Sequence, residues 1–402
     1  MIIAVVGVGH PATAAQTSDA QPVSQWTAKR GVNVLGYDPY WTDEKQRRFQ
    51  WRHFGEIRKG GFDFVRVNLH AFKHMDEANK LNPEWLRKLD DVVREAQKAG
   101  LAVILDEHDF NACANDLELC RTKLTAFWSQ VAPRYASASN SIAFELLNEP
   151  HAKLDAATWN AFFPELLALV RQTNPTRTVV VGPTRWNNFN ELPTLKLPND
   201  PNLLVTFHYY DPFHFTHQGA SWTGADVQKL KGITWGSEAD RAQLRADFEK
   251  VAAWSKENKR PILLGEFGAY DKSGTPEAMR VAYTSAVARE AERHGFAWGY
   301  WQFDSDFIAW DMKKDGWVEP IRSALLPAEP KRSPCSPAAM RCLAGQRCPC
   351  WAVLRRQRRS ALTGRALPSS IACPIGFATP SSAFGRTGVR SASRSSATGM
   401  AG

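Results

Sequence analysis

Between Gly31 and Pro327 one pattern keeps returning: a short apolar run, a polar loop, then an amphipathic segment. This alternation limits the fold more than anything else in the chain. Strands separated by helices pair in parallel, because the helix supplies the crossover that a parallel pair requires. The clearest copy starts at Phe64-Val65-Arg66-Val67-Asn68-Leu69. Asn82 then reads as an N-cap with Pro83 at the first helical position. Trp85, Leu86, Leu89, Val92, Val93 and Ala96 recur at helical spacing, and Gly100 stops the helix. Leu101-Ala102-Val103-Ile104-Leu105 is a continuous apolar run, as expected of a strand buried on both faces. Further strands are expected at 31–36, 141–147, 178–182, 203–207, 262–266 and 297–302, eight in all. Helices are expected at 44–59, 117–137, 155–173, 241–259 and 276–294, with shorter ones near 186–195 and 319–326. The pattern predicts an α/β fold, a (β/α)8 TIM barrel, with a doubly wound open sheet as the alternative.

In a barrel, chemistry belongs at the C-terminal tips of the strands. The tips here carry Arg66 and Asn68, then Asp106-Glu107-His108, Asn148-Glu149-Pro150, His208-Tyr209-Tyr210, Gly265-Glu266-Phe267 and Trp301-Gln302-Phe303-Asp304. Each polar group follows buried apolar residues, where an unpaired carboxylate is costly. A structural ion pair explains any single tip. Two Glu and two His converging with an Arg and a Trp are harder to explain that way. Two carboxylates beside an aromatic platform suit glycoside hydrolysis, in which one carboxyl is protonated and the other ionised. Glu149 and Glu266 are the candidates. Arg66 is placed to keep one of them ionised, and Tyr210 can donate a hydrogen bond to it.

The stretches IAFELLNEPH, VTFHYYDPF, LLGEFGAY, WGYWQF and FVRVNLH resemble the signatures of glycoside hydrolase family 5, the cellulase family of retaining (β/α)8 enzymes. The resemblance runs from about Arg30 to Pro327. It implies a retaining endo-β-1,4-glucanase, with Glu149 as acid/base and Glu266 as nucleophile. Asn148 would bond the sugar 2-hydroxyl, and Arg66 and Tyr210 would hold Glu266. His108 and His208 would line the site, Trp301 would stack under the sugar, and Asn33 joins the substrate-binding set. The stretch DPFHFTHQGASW resembles a loop of bacterial endoglucanases, which adds His217 and Trp222. Many relatives carry a second His where Asp109 stands, so substrate contacts there are open. The resemblance implies no cofactor and no metal. A β-linked polysaccharide or oligosaccharide is the expected partner of a monomer. Mannan, mixed-linkage glucan and xyloglucan are alternative substrates, and a non-catalytic sugar-binding barrel is the alternative class. Cys113 and Cys120 would form a disulfide in an exported protein.

Other readings carry less. His208, His214 and His217 lack the helical ligand pairs of a metal site, and His70 and His74 read as loop residues. Neither a G-x-S-x-G elbow nor a P-loop occurs. Trp128, Trp159 and Trp254 fall in helical patterns and are expected in the core. No apolar run nears the roughly 18 residues of a membrane span. The formal charge of +9 is misleading: 12 of the 50 Lys and Arg, but one of the 41 Asp and Glu, lie in 328–402, leaving 1–327 at −2. The body thus gives no reason to expect a nucleic-acid partner.

The ends differ from the body. Residues 1–25 read as a signal-peptide remnant and linker, with an apolar run at 2–9 and Ala12-Thr13-Ala14 as an A-x-A pattern. Secretion or a periplasmic location follows as an expectation. Gly7-Val8-Gly9 also fits a dinucleotide-binding motif, but neither its helix nor its second strand follows. Residues 26–327 form the expected catalytic barrel. Residues 328–402 hold five of the seven Cys and ten Leu, Ile, Val and Phe in 75 residues. They read as a basic low-complexity tail, disordered or translated out of frame.

Overall fold

A computed structural model describes residues 26–272 and 274–327. The signal-like segment and the basic tail lie outside the described residues. Eight strands follow one another: β1 (Arg30–Val34), β2 (Phe64–Leu69), β3 (Ala102–Glu107), β4 (Ile142–Glu145), β5 (Val179–Val181), β6 (Leu203–Tyr209), β7 (Ile262–Phe267) and β8 (Ala297–Tyr300). They pair in chain order, all parallel, and close when β1 meets β8 with Gly31 opposite Gly299. This closure excludes the open-sheet alternative; the fold is a (β/α)8 TIM barrel.

The longer helices are α1 (Arg52–Lys59), α2 (Pro83–Lys98), α3 (Phe110–Asn115), α4 (Leu117–Arg134), α5 (Ala156–Arg171), α6 (Glu238–Asn258), α7 (Glu277–Arg293) and α8 (Glu319–Leu325). Asn82 caps α2 by accepting from the Glu84 and Trp85 amides, and Gly100 follows its end at φ +77°. Two helix expectations need correction. The segment 44–59 splits into a 3-10 turn, Glu44–Gln46, and α1, because Asp43 caps the first piece and the chain then leaves the helical region at Arg47. The segment 186–195 holds a left-handed turn followed by a 3-10 stretch, Phe189–Thr194, capped by Asn188. Trp128, Trp159 and Trp254 are buried, as their helical spacing implies.

Alternation along the strands positions the site. Phe64, Ile104, Ala143, Val180, Leu204 and Leu263 share one apolar cluster, while Val65, Val67, Val103, Leu105, Phe144, Val205 and Phe207 belong to the larger core that includes the helices. Successive side chains point to opposite faces, so the first set fills the barrel and the second faces outward. Two residues further along, the inward positions become Arg66, Asp106, Glu145 and Thr206, all with 0% exposure. The barrel is therefore apolar below and polar above. Gly31 makes room for the lower plug: a Cβ there would stand 2.3 Å from the Phe64 ring.

Candidate active site

Arg66, projecting inward from β2, is the centre of the polar layer. Its Nε and Nη2 donate to Glu145 at 2.6 and 2.9 Å. Its Nη1 donates to Glu266 Oε1 at 2.7 Å and to Asn33 Oδ1 at 2.8 Å. Its Nη2 also reaches Asn148 Oδ1 at 2.8 Å and Asp106 Oδ2 at 3.0 Å. One guanidinium thus faces three carboxylates. Burial pushes Asp106 and Glu145 up, while Arg66 pulls both back.

Glu149 and Glu266 arrive from different tips. Glu149 follows β4 in the left-handed region, at φ 43°, a backbone state uncommon for Glu. Its Oε1 lies 2.7 Å from His208 Nδ1. Glu266 sits near the end of β7, and its Oε2 accepts from the Tyr210 hydroxyl at 3.0 Å. Glu149, His208 and Glu266 each offer one polar atom within 4.8 Å of the other two. Burial pushes Glu149 up to about 8; Arg66 opposes the rise, and Asp106 and Glu145 add to it. Burial also pushes Glu266 up, to about 7, against the opposing pull of His208 and Arg66.

The remaining residues fall into three places. His108 and Trp301 stack at 5.6 Å and 7° on the rim near the acids, with His108 Nδ1 2.6 Å from Asp106 Oδ2. His217 packs edge-on to Tyr210 at 4.9 Å and stacks on Phe213, while Trp222 is 51% exposed and edge-on to Tyr270. His214 is exposed and does not join His208 and His217 in a cluster. Asn33 corrects the sequence expectation. It is wholly buried, its amide donating to the Gly265 and Tyr300 carbonyls and its oxygen accepting from Arg66 and Asn68. It braces Arg66 from the neighbouring strand, level with it in register, and has no surface for substrate.

Asp109 accepts from the Phe72 amide at 2.7 Å and lies 3.8 Å from His70, so it ties down the loop after β2. Cys113 and Cys120 form a disulfide joining α3 to α4. Sequence reasoning missed Glu145, Tyr37 and Asn187. Glu145 had a signal, a carboxylate inside the apolar run of β4. Tyr37, 52% exposed and edge-on to Trp301 at 6.3 Å, had none, since it lies in an irregular loop.

Against known proteins, a model of the cellulase family (glycosyl hydrolase family 5) matches residues 19–306. Endoglucanase H of Acetivibrio thermocellus is 29% identical over 251 residues, 62% of this chain and 26% of that protein. Endoglucanase A of Clostridium longisporum is 25% identical, over 61% of this chain and 49% of its own length. The chain thus spans half or less of these two relatives. Among solved structures, Thermotoga maritima Cel5A in complex with cellobiose is 34% identical, with a TM-score of 0.71 over 74% of this chain and 97% of that one. The same protein in complex with mannotriose matches at 33% identity, a TM-score of 0.71 and the same coverage.

Proposed function

This chain belongs to glycosyl hydrolase family 5, and from that premise we propose that it is a retaining endo-β-1,4-glucanase acting on internal bonds of glucan chains. The observation that carries the reading is the spacing of Glu149 and Glu266. A nearest approach within 4.8 Å fits the short carboxyl separation, about 5–5.5 Å, of a double displacement, and not the ~6.5–9.5 Å that leaves room for an inverting water.

The ionised Glu266 carboxylate attacks the anomeric carbon as the bond to the leaving oxygen breaks. Glu149 gives its proton to that oxygen. The resulting sugar ester on Glu266 is then attacked by water, whose proton passes to Glu149, and the anomeric configuration is retained. Arg66 and Tyr210 hold Glu266 for attack. Asn148 presents its buried amide beside the Glu149 carboxyl, suited to the sugar 2-hydroxyl. Trp301 offers a ring to the sugar face, with His108 behind it, and Trp222 with His217 extends the surface along the chain. The protein works as an exported, secreted or periplasmic monomer on a β-linked polysaccharide.

A second substrate, β-mannan, has one specific support: the relative solved with cellobiose is also solved with mannotriose. The test is a panel of carboxymethylcellulose, mannan, mixed-linkage glucan and xyloglucan, read as reducing sugar released. Greatest release from carboxymethylcellulose is expected. No release from any member would leave a sugar-binding barrel without catalysis.

A further inference from the structure

We infer that Asn187 is a positioning residue that fixes the tautomer of His208 and thereby decides which oxygen of Glu149 carries the acid proton. The inference rests on the reading of Glu149 as acid/base. Asn187 closes a left-handed turn after β5, with φ of 56°, 61° and 53° at Arg185, Trp186 and Asn187. Three successive residues in that region are strained unless the surroundings hold them, and Asn tolerates it best. Asn187 is wholly buried, so it serves a neighbour and not a ligand. Two glycines make room for the pair, Gly182 for Asn187 and Gly265 for His208. A Cβ on Gly182 would stand 2.1 Å from Asn187 Oδ1, and one on Gly265 would stand 2.9 Å from His208 Nε2.

The Asn187 amide nitrogen lies 3.3 Å from His208 Nε2. In this orientation the amide NH2 donates, and Nε2 is the accepting nitrogen of the ring. Burial favours the neutral imidazole, assisted by Arg66 and opposed by Glu266, Glu145 and Asp106. A neutral ring has one N–H, which the amide forces onto Nδ1. Nδ1 stands 2.7 Å from Glu149 Oε1. Oε1 is then an acceptor, and the acid proton of Glu149 sits on Oε2, the oxygen that does not face His208 Nδ1. In the opposite tautomer Oε1 would donate to Nδ1, and the proton would be held away from the substrate.

The full chain labelled with 15N-histidine gives the first readout. The His208 ring, assigned by comparison with His208→Gln, should resonate as the Nδ1–H form. In Asn187→Asp a carboxylate accepts from Nε2–H and should reverse the tautomer. Its kcat on an unactivated cello-oligosaccharide should fall at least about ten-fold, a modest part of what general acid catalysis supplies. An aryl cellobioside whose leaving group needs no proton should lose less than about three-fold, with KM unchanged. Asn187→Ala, which frees the ring without a new charge, gives the same substrate split if Asn187→Asp does not fold. An Nε2–H ring in the wild type, or equal losses on both substrates, would overturn the inference. A wrong assignment of the two Glu would appear separately, as no sugar adduct on Glu266, and would leave the ring tautomer readable.

Discussion

Glu149 and Glu266 carry the same functional group and differ in what touches it. Glu266 receives a guanidinium and a phenol; Glu149 receives an imidazole and sits under a raised proton affinity. In the proposed roles Glu266 acts ionised, so activity should rise as pH climbs through about 7, and Glu149 acts protonated, so activity should fall through about 8. A bell in kcat/KM with its maximum between these values is expected, measured on a soluble glucan. Tyr210→Phe removes a donor from the Glu266 carboxylate. That substitution should move the acid limb to higher pH and leave the alkaline limb in place. The two Glu should also differ by leaving group. Glu149→Gln should keep much of its first-step rate on aryl glycosides, stall as a sugar ester seen by intact mass, and recover turnover with azide. Glu266→Gln should lose about 10³-fold or more on every substrate and form no ester. An adduct mapping to Glu149 would reverse the assignment.

At the scale of the element, β2 shows how one strand serves stability and chemistry together. Phe64, Arg66 and Asn68 share its inward face: the first fills the barrel floor, the second gathers the carboxylates, and the third donates to Asp106. The side-chain period of two makes this possible, and a slip of one residue would bury Val65 and Val67 where Arg66 is needed. Phe64→Ala should cost about 3–5 kcal/mol of stability, since the plug is fully buried and closed strands cannot collapse into the void. Urea denaturation monitored by Trp fluorescence would measure it. A loss under about 1 kcal/mol would mean that the floor is not packed as described.

Across the whole molecule, every residue placed in the site lies between Asn33 and Trp301. A chain trimmed to 26–327 is therefore expected to fold and to keep full activity on soluble glucan, because it retains every strand, every helix and every site residue among the described residues. A trimmed chain that is folded by circular dichroism but inactive would assign the removed ends a part in substrate binding. Removal of 328–402 takes away 12 basic residues and one acidic one, so the remainder should elute from cation exchange much earlier than the full chain.

What the sequence determined by itself was the alternation, and with it the eight strands and most of the helices, because periods of 2 and 3.6 are written locally. It also marked the strand tips, since a Glu or His directly after a buried apolar run costs too much to be accidental. Tertiary structure alone decided how the tips pair with one another. Arg66 contacts Glu145, Asp106 and Glu266 across 79, 40 and 200 positions of sequence, and no local pattern records such closures. The same holds for Asn33 and Asn187, ordinary polar residues until barrel closure buries them against Arg66 and His208. A buried hydrogen bond is a relation between distant strands, so its partners become visible only once the sheet has closed.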